Sequence, residues 1–285
     1  MPVFSERVLG GGLLKANFYN RIGTIYGASA GAFNGAYFLT RQFPVGPSIY
    51  YDDLVKNFIL AKNIPFGTFQ RFCSRYFGCY PGKLRHAIDL DYVMGIISAG
   101  YKALDLAELK KSNIPLFVKL WDIRNREWKF VDAITYQDPL RLFKAATSIV
   151  PYYYSSENIN GSDCIDLSLA DSLCLDIIRA RHPNQKIIFI YNYQQKINNM
   201  FMLIRLAEGV VANFCYKEIK RTCFVKGLRT LRRHLKEVNL DPRMLIVNPP
   251  DNLRALSYDT DRERLIALYE AGVKESEKIV NFVSA

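Results

Sequence analysis

The sequence has no apolar run that approaches the roughly 18 residues needed to cross a membrane. Its N-terminus, MPVFSERVLGGG, also lacks the basic segment followed by an apolar segment that is typical of a secretory signal. Because both patterns are missing, we expect neither a transmembrane segment nor a signal peptide. We therefore expect a cytoplasmic protein, with any membrane contact being peripheral.

Patterns of metal ligands are also lacking. The six cysteines form no C-x-x-C pair, and the three histidines lie far apart in the chain. This spacing argues against a zinc site, and we expect no metal and no cofactor. Without a secretory signal, reduced and mostly buried thiols are the expected state of the cysteines.

Acidic residues are scarce in one segment, residues 217–236. Eight of its residues are Lys or Arg and only Glu218 is acidic, in a chain whose net charge is +11. This pattern is typical of a solvated helix face, and its charge favours an anionic surface, either nucleic acid or acidic lipid headgroups. No recognised nucleic-acid-binding motif accompanies the segment, so we do not expect nucleic acid as the partner.

Apolar, β-rich runs alternate with helical patterns along the chain, which predicts an α/β fold with a mostly parallel sheet. No repeat or linker divides the sequence, so we expect one domain over 1–285. An insertion rich in Phe and Tyr, around 42–110, is expected to form a cap, whose aromatic residues either line a substrate pocket or belong to the core. The predicted strands are 24–26, 116–121, 128–131, 186–191 and 244–247, and the predicted helices are 30–40, 51–62, 90–98, 140–147, 173–181 and 262–282.

The run TIYGASAGAFNG (24–35) contains the pattern G-x-S-x-G, with Ser29 between Gly27 and Gly31. A predicted strand precedes Ser29 and a predicted helix follows it, which is the context of a nucleophile elbow. We expect a side chain at either glycine to collide across the tight turn. The helix N-terminus would place the N–H of Ala30 where it can stabilise an oxyanion.

Three consecutive glycines, Gly10, Gly11 and Gly12, lie upstream of this run. The segment 8–12 predicts a short strand that opens into a loop whose unobstructed N–H groups can converge on one oxygen. With so few residues before Ser29, an α/β-hydrolase with His182 or His234 as the base is not expected, because several strands precede the elbow in that fold.

The glycine run 10–12 and the segment GASAGAFNGAYFL (27–39) together resemble the patatin-like phospholipases, and their bacterial branch in particular. The resemblance implies a three-layer α/β/α sandwich with a mostly parallel central sheet. It also implies a Ser–Asp dyad without histidine, with Ser29 as nucleophile and the glycine loop as oxyanion hole. The implied substrates are phospholipids or other acyl-ester lipids, cleaved without a metal.

The resemblance also predicts where the aspartate lies. The segment 144–178 has the family's layout, with an Ala- and Ser-containing stretch, a proline, a turn at Asn160–Gly161, and a short strand at 164–166. Asp166 aligns with the catalytic aspartate. Asp163, in the preceding turn, and Asp171, which resembles a helix cap, are the competing carboxylates.

The sequence departs from the family pattern in two places. Leu167–Ser168 stands where the family has two small residues, and only 13–21 separates the glycines from the next strand, with Lys15 offset from the family's basic residue. A parallel crossover normally needs a dozen or more residues. Two hypotheses follow: a lipid acyl hydrolase that sits on anionic membranes through 217–236, or a catalytically impaired member that binds a lipid or a partner.

Overall fold

The computed structural model describes residues 5, 7–13, 18–43, 45–78, 84–192, 199–250, 252–253 and 261–284. The chain forms a mixed α/β structure with two separate sheets in the described part. The strands are β1 (Ile25–Ala28), β2 (Leu116–Asp122), β3 (Glu127–Asp132), β4 (Glu157–Ile159), β5 (Ser162–Ile165), β6 (Ile187–Ile190) and β7 (Met244–Val247).

Helices connect and cover these strands, and five of the six helices predicted from the hydrophobic pattern are present. They are α1 (Gly31–Leu39), α2 (Val45–Ser48), α3 (Leu54–Asn57), α4 (Ile64–Phe77), α5 (Leu90–Ser98), α6 (Leu106–Leu109), α7 (Pro139–Thr147), α8 (Leu175–Arg181), α9 (Asn199–Cys215), α10 (Cys223–Leu240) and α11 (Arg262–Ser284). None of the described helices is long and apolar enough to cross a bilayer.

Strand β2 is the central strand of the larger sheet. It pairs in parallel with β1 and antiparallel with β3 and β5, and β4 extends the sheet beyond β5. The antiparallel hairpins follow from short connections, because the turns at 123–126 and 160–161 leave no room for a crossover. The smaller sheet consists of β6 and β7 in parallel.

Helix α1 packs against the larger sheet through a face of small and aromatic residues. Gly35 permits this close approach, because a Cβ there would lie 2.8 Å from Leu116 Cδ1 on β2. Phe33, Tyr37 and Phe38 are buried on this helix. The same core contains side chains from both ends of the described chain, from Val8 to Ile279.

Two predicted elements are wrong. The run Val8–Leu13 is one π-helical turn rather than a strand, since consecutive glycines have little tendency to extend as a strand. The predicted helix 51–62 is instead a π-helical turn at Ile49–Asp53, the short α3 and a 3₁₀ turn at Ala61–Asn63. Helix α4 follows, within the aromatic-rich insertion.

Candidate active site

Ser29 lies at the junction between β1 and α1, as the elbow pattern predicts. Its φ of 53° is in the left-handed region, which a residue with a Cβ occupies at a cost of about 1–3 kcal/mol. Gly27 makes the tight turn possible, because a Cβ there would lie 2.6 Å from Ala32 Cα. The expectation for Gly31 is wrong: a Cβ there meets no atom within 4 Å.

The pairing around β2 explains how Asp166 reaches Ser29. Strand β3 occupies one edge of β2, so β1 and β5 share the other edge. The last residue of β1, Ala28, pairs with Lys119, and the last residue of β5, Ile165, pairs with Trp121. The two strands run towards each other along this edge. The residues that follow them, Ser29 and Asp166, therefore meet, because only one position of β2 lies between Lys119 and Trp121.

The carboxyl group of Asp166 is held in place by the backbone around it. Its own N–H donates to the Ser148 carbonyl (3.1 Å), and its carbonyl accepts the Val150 N–H (3.3 Å). Oδ1 accepts the Ser168 N–H at 2.8 Å. The side chain is thus fixed on one oxygen, while Oδ2 has no partner of standard hydrogen-bond geometry in the described part of the chain.

The pKa of Asp166 is raised above the ordinary value of an aspartate. Burial is the main cause, and the nearby hydroxyls of Ser168 and Ser29 and the charge of Lys119 act in the opposite direction. The Ser29 hydroxyl is therefore close enough to interact with the carboxylate, although it is not aligned with Oδ2. Catalytic hydrogen bonds are often loose in an empty site and tighten when substrate binds.

The competing carboxylates have other roles. Asp163 is exposed in β5, where it pairs with Asn158. Asp171 accepts the N–H of Cys174 through Oδ1 (2.9 Å), in the turn just before α8. The carboxylate that interacts with the Ser29 hydroxyl is that of Asp166.

Leu167 and Ser168 both fit at the positions where small residues were expected. The Leu167 side chain is buried and belongs to a core cluster that includes Val150, Ile165 and Phe224. The Ser168 backbone supplies the hydrogen bond that orients Asp166. This departure from the family pattern therefore leaves the aspartate buried and anchored.

Lys119 is a site residue that sequence reasoning missed. Its side chain is buried beneath the elbow, donates to the Asp171 carbonyl at 2.5 Å, and lies 4.5 Å from the centre of the Trp128 ring. The alternation of β2 could have indicated it, since a lysine stands inside the apolar run LFVKLW. It places a positive charge behind the Ser29–Asp166 pair.

A cavity of about 690 Å³ opens beside Ser29, and it is lined on opposite sides by β1 and β6. Most of its wall is apolar, and its polar groups include Ser29, Ser168 and Lys119. Among the described residues, the lining of this cavity includes none of 42–110, and the role of the aromatic insertion as a cap stays a prediction. Residues of β1 and β6 shape that pocket instead.

The glycine run lies near this cavity, because its neighbours Leu9 and Leu13 line the wall. Gly10, Gly11 and Gly12 are within the π-helical turn, and their role as an oxyanion hole stays a prediction. Lys15 and residues 14–17 of the short connection lie outside the described residues. Ala30 forms the N-cap of α1, so the unpaired N–H groups of a helix start are beside Ser29.

Neither histidine considered as an alternative base contacts Ser29 in the described structure. His182 lies in the cavity wall, where Nε2 hydrogen-bonds the Tyr26 hydroxyl at 2.9 Å. His234 is fully buried between Asp171 and Asp176. Over the described ranges, no three His, Cys, Asp or Glu side chains cluster as metal ligands would.

The described cysteines are all free, and burial raises the pKa of the Cys174 and Cys215 thiols to about 12. The thiols of Cys174 and Cys215 are therefore protonated and poorly nucleophilic at neutral pH. Ser29 is the nucleophile candidate that has both a strained turn and a carboxylate beside it. No family model matches the chain, and a search of curated proteins finds no significant match.

Proposed function

We propose that the protein is a lipid acyl hydrolase with a Ser29–Asp166 dyad, on a three-layer fold of the patatin-like type. The observation that carries the proposal is the left-handed Ser29 at a strand–helix junction, with a buried carboxyl group beside it. A strained serine next to a base whose pKa is raised is the arrangement that nucleophilic catalysis requires.

The chemistry needs only these two side chains. Ser29 Oγ attacks the ester carbonyl while its proton moves to Asp166, and the oxyanion is stabilised by the Ala30 N–H and by N–H groups of the glycine run. Asp166 then donates that proton to the departing alcohol. A water molecule, deprotonated by Asp166, attacks the acyl-enzyme; the acid leaves and Ser29 regains its proton.

The cavity supports a substrate with an apolar chain. Its size is within the range of small-molecule sites, and its apolar wall suits a fatty-acyl group whose carbonyl carbon reaches Ser29. We propose a phospholipid, lysophospholipid or related acyl ester as the substrate class, which would bring the protein to a lipid surface.

Segment 217–236 supports a partner that is anionic. All eight of its Lys and Arg side chains are exposed, and most lie on α10, whose opposite face buries Phe224, Leu228, Leu231 and Leu235. The expected helix with a basic face is therefore present. We propose that this face contacts the acidic headgroups of a membrane.

A fluorophosphonate probe tests the dyad directly, because it reacts only with an activated serine. We expect labelling of the wild-type chain and no labelling of Ser29→Ala, while Ser98→Ala, an exposed serine on α5, labels normally. A wild-type chain that never labels and cleaves no ester in a substrate panel would overturn the proposal.

A second candidate function follows from the unaligned Oδ2 of Asp166. A chain that cannot align its base would bind lipid without hydrolysing it. Binding to liposomes with no turnover of any ester would favour this catalytically impaired module over the hydrolase.

A further inference from the structure

Helix α4 is inverted with respect to an ordinary amphipathic helix. Its aromatic residues lie on the outside: Phe66, Phe69 and Phe77 are 55%, 58% and 70% exposed, and Phe72 and Tyr76 are exposed too. Its inner face carries Gly67 and the buried, polar Gln70. A surface helix of a globular protein ordinarily buries its apolar face and exposes its polar one. An exposed aromatic face of this kind is typical of an interaction site.

The inner face of α4 is held by specific contacts, so the aromatic face is presented on a fixed element. Gln70 Oε1 accepts the Arg85 N–H at 2.9 Å. Gly67 leaves room for Tyr154, whose ring carbon would lie 2.2 Å from a Cβ at that position. Rotating α4 to bury its phenyl rings would break these contacts.

The aromatic surface of α4 continues onto α9. Phe72 packs edge-on against Phe214 with ring centroids 6.0 Å apart, and the N-terminal half of α9 exposes Leu203, Ile204 and Leu206. We call these exposed side chains of α4 and α9 the aromatic face; its members are Phe66, Phe69, Phe72, Tyr76, Phe77, Leu203, Ile204 and Leu206.

The charge around the aromatic face is positive. Helix α4 has two arginines and no acidic residue, and the one acidic side chain of α9, Glu208, is buried against Arg205 at 2.5 Å. Arg71 of α4 reaches the loop after α9, where its guanidinium lies 5.3 Å from the centre of the Tyr216 ring. That loop exposes Lys217, Lys220 and Arg221, and its one acidic residue, Glu218, is half-buried.

We infer that the aromatic face docks on an anionic lipid bilayer, with its phenyl rings inserted among the headgroups. Exposed aromatic side chains beside lysines and arginines are the composition that binds this interface. A second copy of the chain is a poorer occupant, because a symmetric pair would bring the positive loops of both copies together. The inference rests on the proposed function only in that a lipid hydrolase needs a lipid surface.

Docking through α4 would also involve an element that is connected to Asp166, the proposed base. Tyr154, which packs against α4, belongs to the segment 149–154 that follows α7. Ile149, the first residue of that segment, lines the cavity and forms a backbone bridge with Asp166. The aromatic face is therefore connected to the dyad through one short stretch of chain.

The test is co-sedimentation of the full chain with phosphatidylcholine vesicles that contain about one third phosphatidylserine, an anionic lipid. We compare the wild type with the double variant Phe66→Ser/Phe69→Ser, and with Tyr101→Ser as the matched control. Tyr101 is 84% exposed but lies outside the aromatic face. The double variant is expected to lose about 10- to 100-fold in vesicle affinity, while the control is unchanged.

A spectroscopic variant locates the inserted side chains. Phe69→Trp is expected to show quenching of its emission by lipids brominated on the acyl chain, beyond that of the two native tryptophans, and Tyr101→Trp is not. Thermal melting of each variant checks that the fold is kept.

Three results would overturn the inference: unchanged vesicle affinity in a folded double variant, no added quenching in Phe69→Trp, or a dimer that forms in the wild type and is lost in the double variant. The last result would assign the face to a second copy. Hydrolysis of a short-chain soluble ester is measured in parallel, so that a failure of the dyad and a failure of docking are distinguished. Ser29→Ala is expected to bind vesicles as the wild type does.

Discussion

Helices α1 and α4 are both rich in aromatic residues, yet they direct them oppositely. On α1, Tyr37 and Phe38 are each only 2% exposed and belong to the main hydrophobic core. On α4, the rings point away from the protein while a glycine and a glutamine face inwards. Aromatic content alone therefore does not distinguish a core helix from a docking helix; the polar residues on the opposite face do.

The two helices also differ in which of their faces holds them to the rest of the protein. Ser29, the proposed nucleophile, lies in the turn just before α1, so the helix must be held firmly against β1 and β2. Helix α4 is held by its polar side, which leaves its apolar side available to a partner. The following predictions test this difference, beginning with the largest effect.

Removing one phenyl ring from each helix tests the difference in stability. Phe38→Ala is expected to lower the free energy of unfolding by about 3–5 kcal/mol, because it leaves a cavity in the core. Phe69→Ala is expected to change it by no more than about 0.5 kcal/mol, because the ring is exposed. Urea unfolding measures both, and equal losses would contradict the assigned orientation of α4.

The two glycines of the elbow, Gly27 and Gly31, provide a second comparison of stability. Gly27→Ala is expected to cost about 1–3 kcal/mol, because the new methyl group would overlap the backbone of Ala32. Gly31→Ala has free space and stands in a helix, so it is expected to be neutral or to stabilise by up to about 1 kcal/mol. If Gly27→Ala proves as stable as Gly31→Ala, the turn at Ser29 is looser than described.

Asp166→Asn tests the buried base by its effect on stability as well as on rate. Burial raises the pKa of Asp166, so the folded chain binds this proton more tightly than the unfolded chain does. The stability it contributes is complete below the unfolded pKa and is lost as the pH rises through the folded pKa. Asp166→Asn should thus be inactive, yet at least as stable as the wild type at about pH 7, with the difference declining towards about pH 4.

Melting temperatures across this pH range, measured beside those of Asp163→Asn, test the prediction. Asp163 is exposed and serves as the control. A destabilised Asp166→Asn at neutral pH would mean that the charged carboxylate stabilises the fold.

Lys119→Met tests the effect of the Lys119 charge on Asp166. The lysine lowers the pKa of Asp166, so its removal should shift the acid limb of the pH–rate profile for a soluble ester to higher pH. Lys119→Arg keeps the charge and should keep the limb in place. A lower rate with an unshifted limb would give Lys119 a structural role only.

The sequence predicted the local parts of the site well. Ser29 on its turn, the helix after it, and the boundaries Leu90–Ser98 of α5 follow from patterns within a dozen residues. Such patterns are set by turn sterics and helical periodicity, which neighbouring residues determine. The positions of β6 and β7 were predicted for the same reason.

Non-local features could not be read from the sequence. That β5 runs antiparallel to β2 depends on pairing between distant segments, so the meeting of Asp166 with Ser29 came from the family resemblance rather than from a pattern. Helix α4 was not predicted, because the aromatic residues of the insertion that contains it were expected to line a pocket or to form core. The turn at Val8–Leu13 was missed because glycines permit several backbone conformations.

Strand β2 has a consequence for how this site tolerates change. It spaces Ser29 and Asp166 although it carries neither, through backbone pairing at Lys119 and Trp121. The spacing of the dyad is therefore encoded in strand register, which most side-chain replacements preserve. A substitution in the cavity wall can therefore change which ligand fits without changing the distance between Ser29 and Asp166, the proposed nucleophile and base.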